Sequence, residues 1–190
     1  MSLLGFGHKN PDTDSICSSL VMTNFKKSLG LDAVACCLGE LRKEAEFVLN
    51  YFGVEGPKLI ESVKEGDLCC LVDHNEYGQS VDGLENATIV EIVDHHKLGG
   101  ITTPAPLSVT LRPVGCTNTI LYYMYKENDV EITKPIAGLM LSAILSDTLI
   151  FRSPTTTEDD IVAGKDLAKI AGVDYEAYGM EMFKAGTSLE

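Results

Sequence analysis

The chain has 190 residues, with 28 acidic against 15 basic side chains and a formal net charge of −13. That balance excludes a protein that holds duplex nucleic acid by itself, a task that needs clustered Lys and Arg. The 45% apolar content excludes a disordered acidic tail, and a prior of ~150 residues per domain predicts one domain over residues 1–190. No stretch approaches the ~18–20 apolar residues of a membrane span, so no membrane partner is expected. The opening MSLLGFGHKNPDTD has no basic n-region and is not a secretory signal. Cys17, Cys36, Cys37, Cys69, Cys70 and Cys116 form no C-x-x-C pair and are read as small apolar residues of a reduced, cytoplasmic protein.

In chain order, Leu3–Gly7 is a short apolar strand followed by turn residues. Ser15–Gly30 carries Ile16, Leu20, Val21, Phe25 and Leu29 at helical spacing and ends on a glycine suited to a C-cap. Ala33–Leu38 is a second buried strand, and Leu41–Phe52 is a helix stopped by Gly53. Asp67–Val72, Thr88–Val93 and a shorter Leu107–Leu111 are further strands, with Leu98–Pro106 a loop. Four helices close the chain, at Thr117–Asn128, Pro135–Leu149, Glu158–Ala171 and Tyr175–Lys184. Near-continuous apolar strands between helices predict an α/β, doubly wound, mainly parallel sheet with helices on both faces.

All four histidines, His8, His74, His95 and His96, lie just after strand-like runs. Open parallel sheets bind ligands at the carboxyl ends of their strands, so three strands deliver His and Asp to one edge. GHKNPDTDS gives His8, Asp12 and Asp14; LVDHNE gives Asp73 and His74; IVDHHK gives Asp94, His95 and His96; LSDT gives Asp147 near the end of a helix. Singly, each has a bland explanation. Asp12 or Asp14 could be a helix N-cap, and an Asp-His pair after a strand could be a capped turn. Asp147 could be a C-terminal turn residue, although the helix dipole disfavours a carboxylate there and favours a cation nearby. Four such clusters on one edge, using every histidine, point instead to divalent metal. Imidazole and carboxylate together suit Mn2+, Co2+, Zn2+ or Mg2+, the nitrogen ligands tilt the choice from Mg2+ towards Mn2+ or Co2+, and the surplus of donors suits two ions sharing carboxylates.

In this order the motifs resemble the DHH phosphoesterase superfamily. The Asn10-Pro11-Asp12-Thr13-Asp14-Ser15 form and the stretch SDTLIFRSPT are similar to the manganese-dependent, family II inorganic pyrophosphatases. The resemblance covers essentially the whole chain and matches the N-terminal domain of that family. It implies hydrolysis of pyrophosphate by two ions, Mn2+ or Co2+, with Mg2+ possible alongside substrate. By this resemblance His8, Asp12, Asp73 and Asp147 hold one ion, and Asp14, Asp73, His95 and Asp147 hold the other. Asp73 is thereby both ligand and catalytic residue. His96 faces the substrate phosphate as a catalytic and binding residue, Asp94 orients a histidine from behind, and Arg152 approaches the substrate. His74 has no ligand role in the family pattern. A homodimer is implied, and no protein nucleophile is required, so Ser15, Ser146 and Cys17 are expected to pack or cap.

The family draws further cations from a C-terminal domain that closes over the substrate. That domain is expected to be absent here, which predicts good metal binding and weak hydrolysis by this chain. The alternative is a DHH phosphodiesterase acting on short oligonucleotides or pAp, with the same metal chemistry. A third reading is a regulatory module that binds metal or nucleotide without catalysis.

Overall fold

A computed structural model describes residues 1–187 of the chain; residues 188–190 at the end of the predicted domain lie outside the described residues. The strands are β1 (Leu3–Phe6), β2 (Ala33–Cys37), β3 (Lys58–Leu59), β4 (Leu68–Val72), β5 (Thr88–Asp94) and β6 (Ser108–Leu111). They form one parallel sheet in the order β3-β2-β1-β4-β5-β6. The α-helices are α1 (Thr13–Ser28), α2 (Lys43–Phe52), α3 (Thr117–Glu127), α4 (Lys134–Thr148), α5 (Glu158–Ala171) and α6 (Tyr175–Gly186). The expected strands and helices are all present with small shifts at their ends. The two-residue edge strand β3 escaped the sequence because Lys58 and Leu59 are both exposed and carry no apolar alternation.

The sheet is doubly wound from its centre. β1 leads outward through β2 to β3 on one side, and β4 leads outward through β5 to β6 on the other. Parallel crossovers are right-handed, so the two directions cover opposite faces. Register separates those faces. Phe6, Cys36, Leu71 and Ile92 are neighbours across four strands and share one apolar cluster with Val63, Val81 and Leu84. Cys37, Val72 and Val93 face the other way, into a larger cluster built from all six α-helices. On the first face the covering helices are two short 3-10 turns, Tyr77–Gln79 and Leu84–Asn86, together with loops. α4 is buried along most of its length and lies at the middle of the helical layer, packed against α1, α2, α3, α5 and α6. A helix that is apolar on all sides needs such a position.

The point where the winding reverses lies between β1 and β4. Chains leaving those two strands in opposite directions open a crevice there, the place where doubly wound sheets bind ligands. Gly7 makes the β1 exit possible: a Cβ on it would lie 2.5 Å from the Cβ of Ser15, so only glycine lets α1 start this close to the strand.

Candidate metal centre

His8 follows β1, and Asp12 caps α1, accepting from the Ser15 N–H at 2.9 Å. The capping reading of Asp12 is therefore correct, and it does not exclude the second role, because the same oxygen lies 3.6 Å from His8 Nε2. Asp14 occupies the first turn of α1 and is fully buried. Asp73 follows β4 in the left-handed region, with φ of 61°, while its N–H still bonds the Val93 carbonyl at 3.0 Å. A non-glycine residue in that conformation costs energy, which fold contacts must hold in place. Asp94 ends β5, His95 and His96 follow it, and Asp147 sits in the last turn of α4. α4 stops in three consecutive left-handed residues, Leu149, Ile150 and Phe151, with φ of 51°, 55° and 64°. Burial of Ile150 and the seat of Phe151 against Gly164 and Tyr175 hold that turn.

These residues converge on Asp73. Its two oxygens face two imidazoles, His8 Nε2 at 3.3 Å and His95 Nε2 at 3.3 Å. His95 Nε2 also lies 3.7 Å from Asp14 and 4.0 Å from Asp147. Among the described residues, potential ligand atoms gather in three groups, two of which share Asp73: His8, Asp12 and Asp73; Asp73, His95 and His96; and Asp14, Cys116 and Asp147.

The donor set fits divalent cations on three counts. First, the separations of 3.3–3.7 Å exceed the ~2.7–2.9 Å of a charge-assisted hydrogen bond. The two 3.3 Å separations from Asp73 match ligands sharing one ion at ~2.1 Å, which sit roughly 3.0–3.5 Å apart, and the 3.6 and 3.7 Å ones lie just beyond that range. Second, both central histidines turn Nδ1 to a backbone carbonyl, His8 to Lys9 at 2.6 Å and His95 to Val114 at 3.0 Å. This is how metal-ligating histidines are oriented, with Nε2 left for the centre. Third, the charge is unbalanced. Burial and the neighbouring Asp73 push Asp14 up to about 7, and burial, Asp14 and Asp73 push Asp147 well above the carboxylate range. Burial opposes charge on His8 and His95, yet Asp12 and Asp73 raise His8 to about 11, and Asp73 and Asp14 raise His95 to about 9. Burial also works against ionising Asp73, and its bonds to His8 and His95 outweigh it and hold the carboxyl low. A divalent cation among these groups would balance the charges that otherwise favour protonation.

Around this core the structure adds residues that the sequence did not single out. Ser15 was expected only to pack or cap; its hydroxyl donates to Asp73 at 2.9 Å. The Thr117 hydroxyl lies 3.3 Å from the other Asp73 oxygen. Asp14 accepts from the Thr117 N–H at 3.0 Å and from the Asn118 amide at 2.7 Å, so the N-terminus of α3 points at a carboxylate. Asn75 donates to Asp94 at 2.6 Å and to the Lys97 carbonyl at 3.0 Å. Thr117, Asn118 and Asn75 have no titratable chemistry, and nothing in their spacing marked them. Cys116 is buried beside Asp14 and Asp147, and burial pushes its thiol well above the usual range, in keeping with an inert cysteine.

The remaining histidines divide. His96 bonds Asp94 through Nδ1 at 2.7 Å, and its side chain is 52% exposed. The bond to Asp94 raises its basicity against the opposing effect of burial. His74 is buried, with Nδ1 on the Val72 carbonyl and Nε2 on the Ser80 hydroxyl, each at 2.8 Å. Burial lowers it to about 4, so it is a neutral brace of the loop after β4. A cleft of about 330 Å³ opens beside the centre, lined by His8, His74, Asn75, Glu76, Gln79, His96 and Lys97. Of the cations near the motifs, Lys97 reaches this cleft, and Lys9 instead pairs with Asp82 at 3.1 Å. Arg152 lies on the exposed turn beyond Asp147; among the described residues no hydrogen bond or ion pair joins its side chain to the cluster.

Residues 3–144 match the DHH family, N-terminal domain, and the chain belongs to that family. Over 189 residues it is 55% identical to a protein of an Exiguobacterium species named probable manganese-dependent inorganic pyrophosphatase, covering 99% of this chain and 61% of that protein. A Listeria innocua protein of the same name is 55% identical over 187 residues, with 98% and 61% covered. A crystal structure from Methanococcus jannaschii, described as a family II inorganic pyrophosphatase, superposes with a TM-score of 0.90 at 44% identity, covering 96% of this chain and 61% of that one. An exopolyphosphatase-related protein from Bacteroides fragilis shares the fold alone, with a TM-score of 0.77 at 15% identity, covering all of this chain and 57% of that one. The chain thus spans about 61% of the length of the curated relatives it matches.

Proposed function

We propose that this chain is the metal-holding part of an enzyme that hydrolyses inorganic pyrophosphate with Mn2+. The observation that carries the reading is the Asp73 carboxylate faced on each oxygen by a histidine Nε2 at 3.3 Å, with both imidazoles fixed from behind. The names of the relatives, aligned over nearly all of this chain and 61% of their own length, support manganese and pyrophosphate. His8, Asp12, Asp73 and Asp147 would hold one ion, and Asp14, Asp73, His95 and Asp147 a second, with Co2+ able to substitute and Mg2+ able to accompany the substrate. When bound, such ions polarise phosphate oxygens and make water a nucleophile near neutral pH.

The chain's own side chains do the rest. Ser15 and Thr117 orient Asp73 through their hydroxyls. Asp94 fixes His96 at Nδ1 and favours its charged form, so that Nε2 can donate to a phosphate oxygen in the cleft. His96 is thereby the proposed catalytic and substrate-binding residue, with Lys97 beside it on the cleft wall. Arg152 is proposed as a weaker, outer contact from its exposed turn. We place the whole centre in one domain, and take the remaining length of the relatives as the source of a closing domain that this reaction needs for full rate. The six free, buried cysteines support a reducing, cytoplasmic setting. The exposed residues of edge strand β6 leave room for a second copy to pair.

The test is phosphate release from pyrophosphate, beside cleavage of a dinucleotide and of pAp, each with Mn2+. Release from pyrophosphate that disappears in Asp73→Ala is the expected result. Cleavage of the dinucleotide or pAp without pyrophosphate hydrolysis would replace this reading with the phosphodiesterase one.

A further inference from the structure

One carboxylate outside the four motifs touches both helix ends that carry Asp14 and Asp147. Glu44 lies in the first turn of α2, and its Oε1 accepts from the Thr13 hydroxyl at 2.5 Å and from the Ser146 hydroxyl at 2.5 Å. Thr13 stands between Asp12 and Asp14 at the start of α1, and Ser146 precedes Asp147 near the end of α4. Asp14 and Asp147 repel one another when ionised, and a shared cation requires both ionised at a fixed spacing. The Glu44 side chain has little freedom of its own. The end of α6 approaches so closely that a Cβ on Gly186 would lie 3.1 Å from Glu44 Cβ and 3.4 Å from its second carboxylate oxygen.

We propose that Glu44 is a positioning residue for the metal centre: by pinning a hydroxyl beside Asp14 and another beside Asp147, it sets the spacing of two ligands without being one. This rests on the metal-centre reading above. Short hydroxyl-to-carboxylate bonds are among the stronger and more directional ones available, and here two of them meet on one oxygen. The consequence is specific. Loss of Glu44 leaves every proposed ligand in the chain, yet cation binding weakens because the two helix ends are free to separate.

The test is Mn2+ binding by the 190-residue chain, followed by calorimetry and by the electron paramagnetic resonance of free Mn2+, with Co2+ absorption reporting ligand geometry. Glu44→Ala is expected to weaken Mn2+ binding by about 10-fold or more, the scale seen when groups that orient ligands are lost, and to change the Co2+ spectrum. Glu44→Gln keeps a carbonyl oxygen for both hydroxyls and is expected to stay within about 3-fold of wild type. Glu46→Ala removes the same charge from an exposed position on α2 and is expected to bind as wild type. Wild-type affinity in Glu44→Ala, or equal weakening in Glu46→Ala, overturns the proposal. Should Glu44→Ala fail to fold, Ser146→Ala decides: binding weakened by about 10-fold supports the proposal, and binding within about 3-fold of wild type overturns it. A wild-type chain that takes up no Mn2+ overturns the metal-centre reading and this proposal together, whereas uptake by wild type and Glu44→Ala alike overturns this proposal alone.

Discussion

Asp160 and the aspartates of the metal centre lie close to the start of α3, and they behave differently. Asp160, at the head of α5, is fully buried and accepts from the Gly115 N–H at 2.8 Å, the Thr119 hydroxyl at 2.6 Å, and the Thr157 N–H and hydroxyl at 2.7 and 2.9 Å. Neutral donors surround it: with Thr157 it closes a capping box at the head of α5, and its bonds to Gly115 and Thr119 tie α5 to the start of α3. Asp14, Asp73 and Asp147 have fewer donors and one another for neighbours. Burial alone does not mark a metal ligand. The mark is a shortage of neutral donors combined with like charges that only a cation or a proton can offset.

The largest expected effect breaks that contrast at its centre. Asp73→Ala should abolish pyrophosphate hydrolysis and weaken Mn2+ binding beyond the roughly 100-fold that indirect contacts command. Calorimetry and phosphate release report the two losses together, and Mn2+ affinity close to wild type in that variant would remove Asp73 from the centre. Asp160→Ala tests the other side. It strands four donors and should lower unfolding free energy by about 3 kcal/mol while leaving Mn2+ affinity nearly unchanged in the folded chain. A denaturant midpoint and a Mn2+ titration separate the two quantities, and an effect on affinity larger than on stability would erase the distinction.

Metal and pH sharpen it further. Saturation with Mn2+ at 100 times its dissociation constant should stabilise the chain by about 2.7 kcal/mol for each ion bound. His8, His95 and Asp14 have folded values of about 11, about 9 and about 7, above their ordinary 6.5, 6.5 and 3.8. Each therefore binds its proton more tightly in the folded chain, so its contribution is full below the ordinary value and is lost as pH rises through the folded one. Between pH 6.5 and 9 the metal-free chain should lose stability, while Mn2+ affinity rises because fewer protons must leave. Thermal midpoints with and without Mn2+ across this range check the sign; a metal-free midpoint that climbs with pH would contradict it. His74 works the other way. Its folded value of about 4 lies below 6.5, so its contribution is present above 6.5 and fades as pH falls towards 4.

The smallest effects fall on the substrate side. Lys97→Ala should raise the KM for pyrophosphate by about 10-fold, the scale of one charge-assisted bond, with little change in kcat. Arg152→Ala should do less, because its turn leaves it exposed and unjoined to the cluster. Steady-state kinetics on both variants would reverse that ranking if Arg152 is the closer contact.

The alternation of apolar strands with helices was legible in the sequence, and so were the donors His8, Asp12, Asp14, Asp73, Asp94, His95, His96 and Asp147, because strand ends and titratable side chains leave local marks. Asp12 shows the limit of local marks: as an N-cap and as a neighbour of His8 it looks the same in sequence. Ser15, Thr117, Asn118, Asn75 and Glu44 were not legible, since what each does depends on a partner elsewhere in the fold: residues 73, 14 and 94, or helices α1 and α4 at once. Arg152 was the cation the motifs singled out, and only the fold showed that Lys97 lines the cleft while Arg152 sits on an exposed turn after α4.

What the sequence determined by itself is which side chains are available and that the ends of parallel strands would carry them to one edge. Tertiary structure decided which carboxylates lack donors, which imidazole nitrogen faces inward, and that His74 braces a loop while His96 faces the cleft. The reason is physical: the kind of ligand a side chain can be is a property of the residue, but the charge balance and orientation that make it one are properties of its neighbours, and those are set by packing.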